Sequence, residues 1–293
     1  MISVYPSFYK DFLCKAGDCL HSCCIQSWDI DIDEATARKY LSMKGSLGRE
    51  LTASISCKDG IHSFIMKDGR CPFLRKDGLC RIILESGDEN LCDICAIHPR
   101  FFVYTGDFEL AGVGLCCEKS VELLLQEETP LAFVTDRSSE PFHLGDLLTA
   151  LGHPATENEL CFHPRVEAAY YGTILSALEK TEPIDTAWME RLAALTASVN
   201  SIVRKAASLL SSYPASAFNR IYQYILYRTL EKAEVYGFPP VMAYARQSAD
   251  FIFLETAVYG ELEENIRRWS EQVEYDTDNV DILLSLLADS SGE

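Results

Sequence analysis

The sequence predicts an α+β fold, in which a small cysteine-rich, metal-binding domain of short hairpins and helices is followed by an all-helical domain. Three observations carry this expectation. Eleven of the twelve cysteines lie within the first 117 of 293 residues, in pairs and clusters. Short stretches of period-two alternation, bounded by turn residues, run among those cysteines, as half-buried strands require. From Arg165 onward the apolar residues recur at helical spacing instead. The expected boundaries are a cysteine-rich unit over 1–125, a linker over 126–164 and a helical unit over 165–293.

Taken in order, Trp28-Asp29-Ile30-Asp31-Ile32 alternates apolar and acidic residues and reads as a strand. Asp33 is placed to cap a helix through Glu34, Ala37, Tyr40 and Leu41. His62 to Met66, followed by Lys67-Asp68-Gly69, reads as a strand entering a tight turn. Phe101 to Leu110 reads as a hairpin about Thr105-Gly106-Asp107. After Cys117, EKSVELLLQEE has helical spacing. Residues 126–164 show little periodicity and contain four prolines, the composition of a linker. Tyr170, Tyr171, Ile174, Leu175 and Leu178 then share one helix face, and further helices are expected near 186–211, 215–235, 240–258, 260–273 and 279–288.

Composition narrows the function classes. The net charge of −18 is uneven: residues 1–125 carry 14 Lys and Arg against 18 Asp and Glu, and the remainder 12 against 26. Such a field repels phosphate backbones and anionic lipid heads, so neither nucleic acid nor a membrane surface is an expected partner, whereas a lysine-bearing protein segment is attracted. A solvated acidic surface that keeps the protein soluble explains the same charge. No run approaches the roughly 20 apolar residues of a membrane span, and the N-terminus lacks the pattern of a secretory signal. The expected compartment is the reducing cytoplasm, where thiols serve as metal ligands rather than disulfide partners.

The cysteines fall into C-x4-C-x3-C-C (Cys14, Cys19, Cys23, Cys24), Cys71 and Cys80 in CPFLRKDGLC, Cys92 and Cys95 in LCDICAIHPR, and the doublet Cys116-Cys117. Cys57 and Cys161 stand apart. Thiolates are soft, strongly donating ligands, and four of them satisfy either a tetrahedral zinc or an iron-sulfur cube. Turn residues at 17–18, 69, 77–78 and 106–107 would let backbone amides point at sulfur. The C-x3-C-x2-C triplet of the radical enzymes fails, because Gln26 stands where its third cysteine would fall. Cys92-x2-Cys95 does not open a helix after a clear strand, against a thioredoxin-like dipeptide. His21 and His98 lie near cysteines but give poor support for a mixed Cys/His zinc knuckle.

The order of these residues carries a resemblance. An aromatic lead-in (Phe8, Tyr9, Phe12) precedes C-x4-C-x3-C-C and Trp28-Asp29-Ile30-Asp31-Ile32. Then come Cys71-Pro72-Phe73-Leu74 to Gly78-Leu79-Cys80, Cys95-x-x-His98-Pro99-Arg100, and Leu115-Cys116 leading into a helix. Over residues 5–125 the chain resembles the flagellin lysine-N-methylase family, within the wider CxxCxxCC-type cysteine-cluster proteins. The resemblance implies transfer of methyl groups from S-adenosylmethionine to lysine side chains of flagellin, with an iron-sulfur cluster, of the 4Fe-4S type, bound by the cysteine motif. It implies Cys14, Cys19, Cys23, Cys24, Cys71, Cys80, Cys95 and Cys116 as metal ligands. Cys57, Cys92, Cys117 and Cys161 fall outside the pattern.

Methylating lysine requires the neutral amine, since the ammonium form has no lone pair, so a base or a desolvated site must favour deprotonation. Asp29, Asp31 and Tyr104, next to cysteine motifs, are the candidate catalytic residues; an exposed strand face for the aspartates and hairpin packing for Tyr104 are the plainer explanations. Arg100 could clamp the carboxylate of the methyl donor or form a structural salt bridge. Trp28 could face the sulfonium through its ring or pack in a core. Gly112 and Gly114 are the candidate close approaches to that cofactor. No G-x-G-x-x-G follows a strand, so the usual nucleotide-binding methyltransferase fold finds no support. A non-enzymatic zinc-binding interaction module is the alternative function, and an electron carrier the third.

Overall fold

The structure, a computed structural model, describes residues 1–293 apart from 26, 27, 29, 210–212 and 292–293, and apart from the side chains of 204, 207 and 291. The chain opens with strand β1 (Ile2–Pro6) and a 3₁₀ turn (Ser7–Asp11). Among the cysteine segments lie β2 (Asp31–Ile32), α1 (Glu34–Ser42), α2 (Gly45–Ala53), β3 (Ile55–Lys58), β4 (Ile61–Phe64), α3 (Arg81–Ser86) and α4 (Asp93–Ile97). Next come β5 (Arg100–Thr105), β6 (Phe108–Val113), α5 (Glu118–Gln126), β7 (Ala132–Thr135), β8 (Phe142–His143) and α6 (Leu144–Ala150). The remainder is helical: α7 (Ala168–Leu178), α8 (Thr186–Leu209), α9 (Ala215–Arg228), α10 (Ala233–Tyr236), α11 (Phe238–Tyr259), α12 (Leu262–Trp269) and α13 (Thr277–Ser291). The fold is thus mixed α+β with a helical C-terminal region. Among the described residues no helix is long and apolar enough to cross a membrane.

Contacts divide the chain into two units whose boundaries differ from the expected ones. The larger comprises Met1–Phe12, Phe102–Cys116 and Ser120–Glu293; the smaller comprises Leu13–Phe101 and Cys117–Lys119. The division is discontinuous because β1 pairs in parallel with β6, Ile2 opposite Phe108 and Val4 opposite Leu110, across the whole cysteine segment. On its other edge β1 runs antiparallel to β7, giving a sheet ordered β5-β6-β1-β7-β8. The stretch 126–164, expected as a linker, therefore contributes two strands and a helix. A four-residue strand such as Ala132–Thr135 is too short to show a period, and a distant partner fixes it.

In the larger unit α11 is buried along most of its length, and α7, α8, α9, α12 and α13 pack against it. Pro239 and Pro240 sit in its first turn, where backbone N–H groups have no helical acceptor. Two acids of α11 itself are fully buried. Asp250 accepts the Tyr170 hydroxyl at 2.7 Å, and burial pushes its carboxyl up to about 6. Glu255 is fully buried with Arg191 Nε at 3.2 Å, and burial pushes it up to about 7. Of the predicted face of α7, Tyr171, Ile174, Leu175 and Leu178 are buried and Tyr170 is half-buried. The helix expected over 215–235 divides, since α9 ends at Arg228 and α10 begins only at Ala233.

The smaller unit holds the three-stranded antiparallel sheet β2-β4-β3. Its core gathers Ile30, Ile32, Ala37, Tyr40, Leu47, Leu51, Phe64, Phe73 and Ile82 with Cys71 and Cys92. The strand expected over 28–32 is regular only at Asp31–Ile32 among the described residues. Asp33 caps α1 as predicted, accepting the Thr36 amide at 2.8 Å, and its second oxygen accepts the Asp93 amide at 3.1 Å. One carboxylate thereby fastens the starts of α1 and α4 together. Burial opposes its charge, but the two amides outweigh that and hold Asp33 below the usual carboxylate range.

Candidate metal centre

The sequence between Cys24 and Cys95 folds so that five thiols meet the hydrophobic cluster of the smaller unit. The Cys71 amide donates to the Cys24 carbonyl at 2.9 Å, and Ile25 bridges to Arg70, so the first and second cysteine motifs lie side by side. Lys67 and Arg70 close a tight turn through Asp68 and Gly69, which hold φ of 52° and 67°. Within CPFLRKDGLC, Leu74 pairs with Cys80, and the turn closes at Gly78 with φ of 77°. Cys80 and Cys92 immediately precede α3 and α4, and Cys95 lies within α4. Cys71 and Cys92 are buried in the cluster, while Cys24, Cys80 and Cys95 pack against it.

Backbone amides point at Cys71, Cys80 and Cys92, and they come from the residues just after each cysteine rather than from the turn residues 69 and 77–78. Burial pushes the Cys71 thiol up to about 11, against hydrogen bonds from the amides of Phe73 and Leu74. Burial likewise raises Cys80, opposed by the amides of Ile83 and Ile82. Cys23 and Cys24 share a hydrogen bond that lowers Cys24 to about 7 and raises Cys23; Cys92 and Cys95 form a second such pair, with Cys92 lowered and Cys95 raised. A metal ion supplies the positive charge that buried thiolates need, so affinity and deprotonation are coupled.

A second set gathers around Glu118. Its carboxylate accepts the amides of Leu20 and His21, both at 3.1 Å, and pairs with Lys15 at 2.6 Å, so the start of α5 is clamped to the 14–23 segment. Cys117 precedes Glu118 and interacts electrostatically with Cys19 and Cys23, as does Cys14. The 14–19 loop in turn lies against the 71–80 turn. A Cβ on Gly78 would stand 2.9 Å from Gly17 Cα, and one on Gly17 would stand 2.7 Å from the Asp77 carbonyl oxygen.

All twelve cysteines are free thiols. Among the described residues no three His, Cys, Asp or Glu side chains converge closely enough to hold a metal ion as they are placed. The donor set is nonetheless the chemistry a thiophilic metal requires: sulfur ligands on turns and helix starts, with amides directed at them.

The other predicted site residues are distributed between the units. Cys116 is buried in the larger unit, hydrogen-bonded with Tyr275 and near Arg228. In the smaller unit Trp28 packs against the hydrophobic cluster, its ring centroid 6.1 Å from that of His98. Burial pushes the His98 imidazole down to about 4. Arg100 is half-buried at the start of β5, and Asp31 is exposed on the short edge strand β2. Asp29 lies outside the described residues. Tyr104 belongs to the larger unit, 53% exposed, where a hydrogen bond with Glu109 raises its hydroxyl. Gly112 and Gly114 are buried there too. The open side of Gly114 is filled by the chain itself, since a Cβ would meet Tyr275 at 2.9 Å and Arg228 at 3.1 Å, which leaves no room for a cofactor. Cys57 is exposed on β3, and Cys161 is half-buried in the larger unit.

Sequence reasoning missed Asp33 as a clamp on α4, Glu118 as a clamp on the first cysteine loop, and the association of Cys92 and Cys117 with the other thiols. Only Glu118 carried a signal, as an acid next to the doublet. Comparison of the chain with family models, with curated proteins and with solved structures gives no match.

Proposed function

We propose that this chain is a protein-lysine N-methyltransferase acting on flagellin, with S-adenosylmethionine as methyl donor and a thiol-bound iron-sulfur cluster, of the 4Fe-4S type. The observation that carries the reading is the ordered cysteine motif together with its Trp, Pro-Phe-Leu and Pro-Arg neighbours. The gathering of Cys24, Cys71, Cys80, Cys92 and Cys95 on one hydrophobic cluster supports it. In this reading Asp31 and Asp29 draw the proton from the lysine ammonium, and Arg100 and Trp28 hold the donor's carboxylate and sulfonium. The donor supplies an electrophilic methyl group in line with the freed lone pair. The acidic surface draws in a lysine-bearing substrate. The compartment proposed with it is the cytoplasm, where thiols stay reduced and able to bind metal.

A second reading, a non-enzymatic zinc module, is favoured by one observation: Cys71 and Cys92 are buried in one hydrophobic cluster with Tyr40, Phe64 and Phe73, and structural zinc sites are closed. The two separate in one preparation. Protein purified without oxygen is assayed for iron, sulfide and zinc, then incubated with flagellin and methyl-labelled donor. Iron with sulfide and label on lysine support the methylase; zinc without label supports the module and defeats the first reading.

A further inference from the structure

The thiols fall into two sets, and the division cuts between the neighbours Cys23 and Cys24. Cys24, Cys71, Cys80, Cys92 and Cys95 share the hydrophobic cluster with Tyr40, Phe64 and Phe73. Two of them are joined through the backbone by the Cys71-to-Cys24 hydrogen bond. Cys14, Cys19, Cys23 and Cys117 stand outside that cluster among the described residues. Their gathering has its own cause: the Glu118 carboxylate ties the amides of Leu20 and His21, and Lys15, to the residue that follows Cys117. Electrostatic coupling follows this division except at Cys23, which is coupled to Cys24 as well as to Cys14 and Cys117. Cys19 feels Cys117 and Cys14, whereas Cys71, Cys80 and Cys95 each feel Cys24. A single centre with four thiolate ligands leaves most of these nine thiols unused.

We infer that the smaller unit holds two metal centres, one on Cys14, Cys19, Cys23 and Cys117 and the other on four of Cys24, Cys71, Cys80, Cys92 and Cys95. The inference rests on the metal-binding reading above and adds to it the number of centres and their ligands. It exchanges Cys116 for Cys117. Cys116 is turned into the core of the larger unit against Tyr275, whereas Cys117 sits beside the carboxylate that organises the first loop. The first set lies outside the hydrophobic core, so its removal leaves that core packed.

Metal and sulfide are counted per chain, by elemental analysis of full-length protein purified without oxygen, for the wild type and for three variants. The wild type is expected to carry about eight irons with matching sulfide, or about two zincs. Cys19→Ala/Cys117→Ala is expected to lose half of that metal while keeping its circular dichroism and the other half. Cys71→Ala/Cys80→Ala is expected to keep only the Cys14 centre where it folds, and Cys116→Ala is expected to keep both. One centre's worth of metal in the wild type, or an undiminished load in Cys19→Ala/Cys117→Ala, overturns the two-centre inference and leaves the metal-binding reading standing. A wild type without iron or zinc overturns both.

Discussion

Asp33 does two jobs with one carboxylate, capping α1 through Thr36 and holding the start of α4 through Asp93. Asp33→Ala removes both acceptors and is expected to cost about 1–3 kcal/mol in denaturant unfolding. Asp33→Ser, which can still cap α1, should recover only part of that. Glu255 gives a prediction of opposite character. Its carboxyl is raised to about 7 from an ordinary value of 4.5, with Arg191 and Arg268 opposing and Glu264 reinforcing the effect of burial. The folded chain therefore binds this proton more tightly than the unfolded one. The resulting stability is fully present below about pH 4.5 and is lost as pH rises through 7. Asp250, raised to about 6, contributes with the same sign. Glu255→Gln is expected to flatten the fall in stability between pH 4.5 and 8 and to exceed the wild type at pH 8, read from melting temperatures across that range.

Among the elements, the loop contact between Gly17 and Gly78 joins the first cysteine motif to the second. Gly78 needs both its positive φ and its lack of a side chain, because Gly17 Cα lies where a Cβ would go. Gly60 has a similar φ of 84° with open space around it. Gly60→Ala should thus cost about 1 kcal/mol of backbone strain, and Gly78→Ala distinctly more and, if the proposed metal centres are present, with loss of metal as well. Equal costs in thermal unfolding would count against the packing explanation. In the larger unit, the buried Tyr224 hydroxyl accepts the Val113 amide at 2.8 Å and donates to the Val113 carbonyl at 2.7 Å. Tyr224→Phe leaves both groups at the end of β6 unsatisfied and is expected to destabilise by about 1–3 kcal/mol. Elements with a strong local period were legible in advance: α1 with its cap, the β5-β6 hairpin and the apolar face of α7. The strands β7 and β8 were not, since each is too short to declare a period and exists because a distant strand pairs with it.

At the scale of the whole molecule, the charge of −18 bears on encounter more than on fold. If a lysine-bearing protein is the substrate, its association rate should fall steeply as salt rises from about 0.01 to 0.15 M, where the Debye length shrinks from about 30 to 8 Å. A rate insensitive to salt in stopped-flow mixing would remove the electrostatic argument for that partner. The order of elements has its own consequence. The chain leaves the larger unit after Phe12, builds the cysteine unit, and returns at Phe102 to lay β6 beside β1. Pairing across so long a loop carries a large closure entropy, so the sheet is expected to form late in folding.

By itself the sequence determined the helical character of the C-terminal region, the cap at Asp33 and the concentration of thiols at turns, because each is set by neighbours a few residues away. Composition and spacing also made metal chemistry the expectation. Tertiary structure decided how the thiols are grouped. Cys116 and Cys117 are adjacent in sequence, yet one enters the core of the larger unit and the other stands with Cys14, Cys19 and Cys23. Cys92, outside the family pattern, is buried with the second set. A spacing rule records distance along the chain, whereas a ligand set is defined by distance through space. Here the grouping of the thiols depends on a carboxylate clamp and a contact between two glycines, each joining residues far apart in sequence.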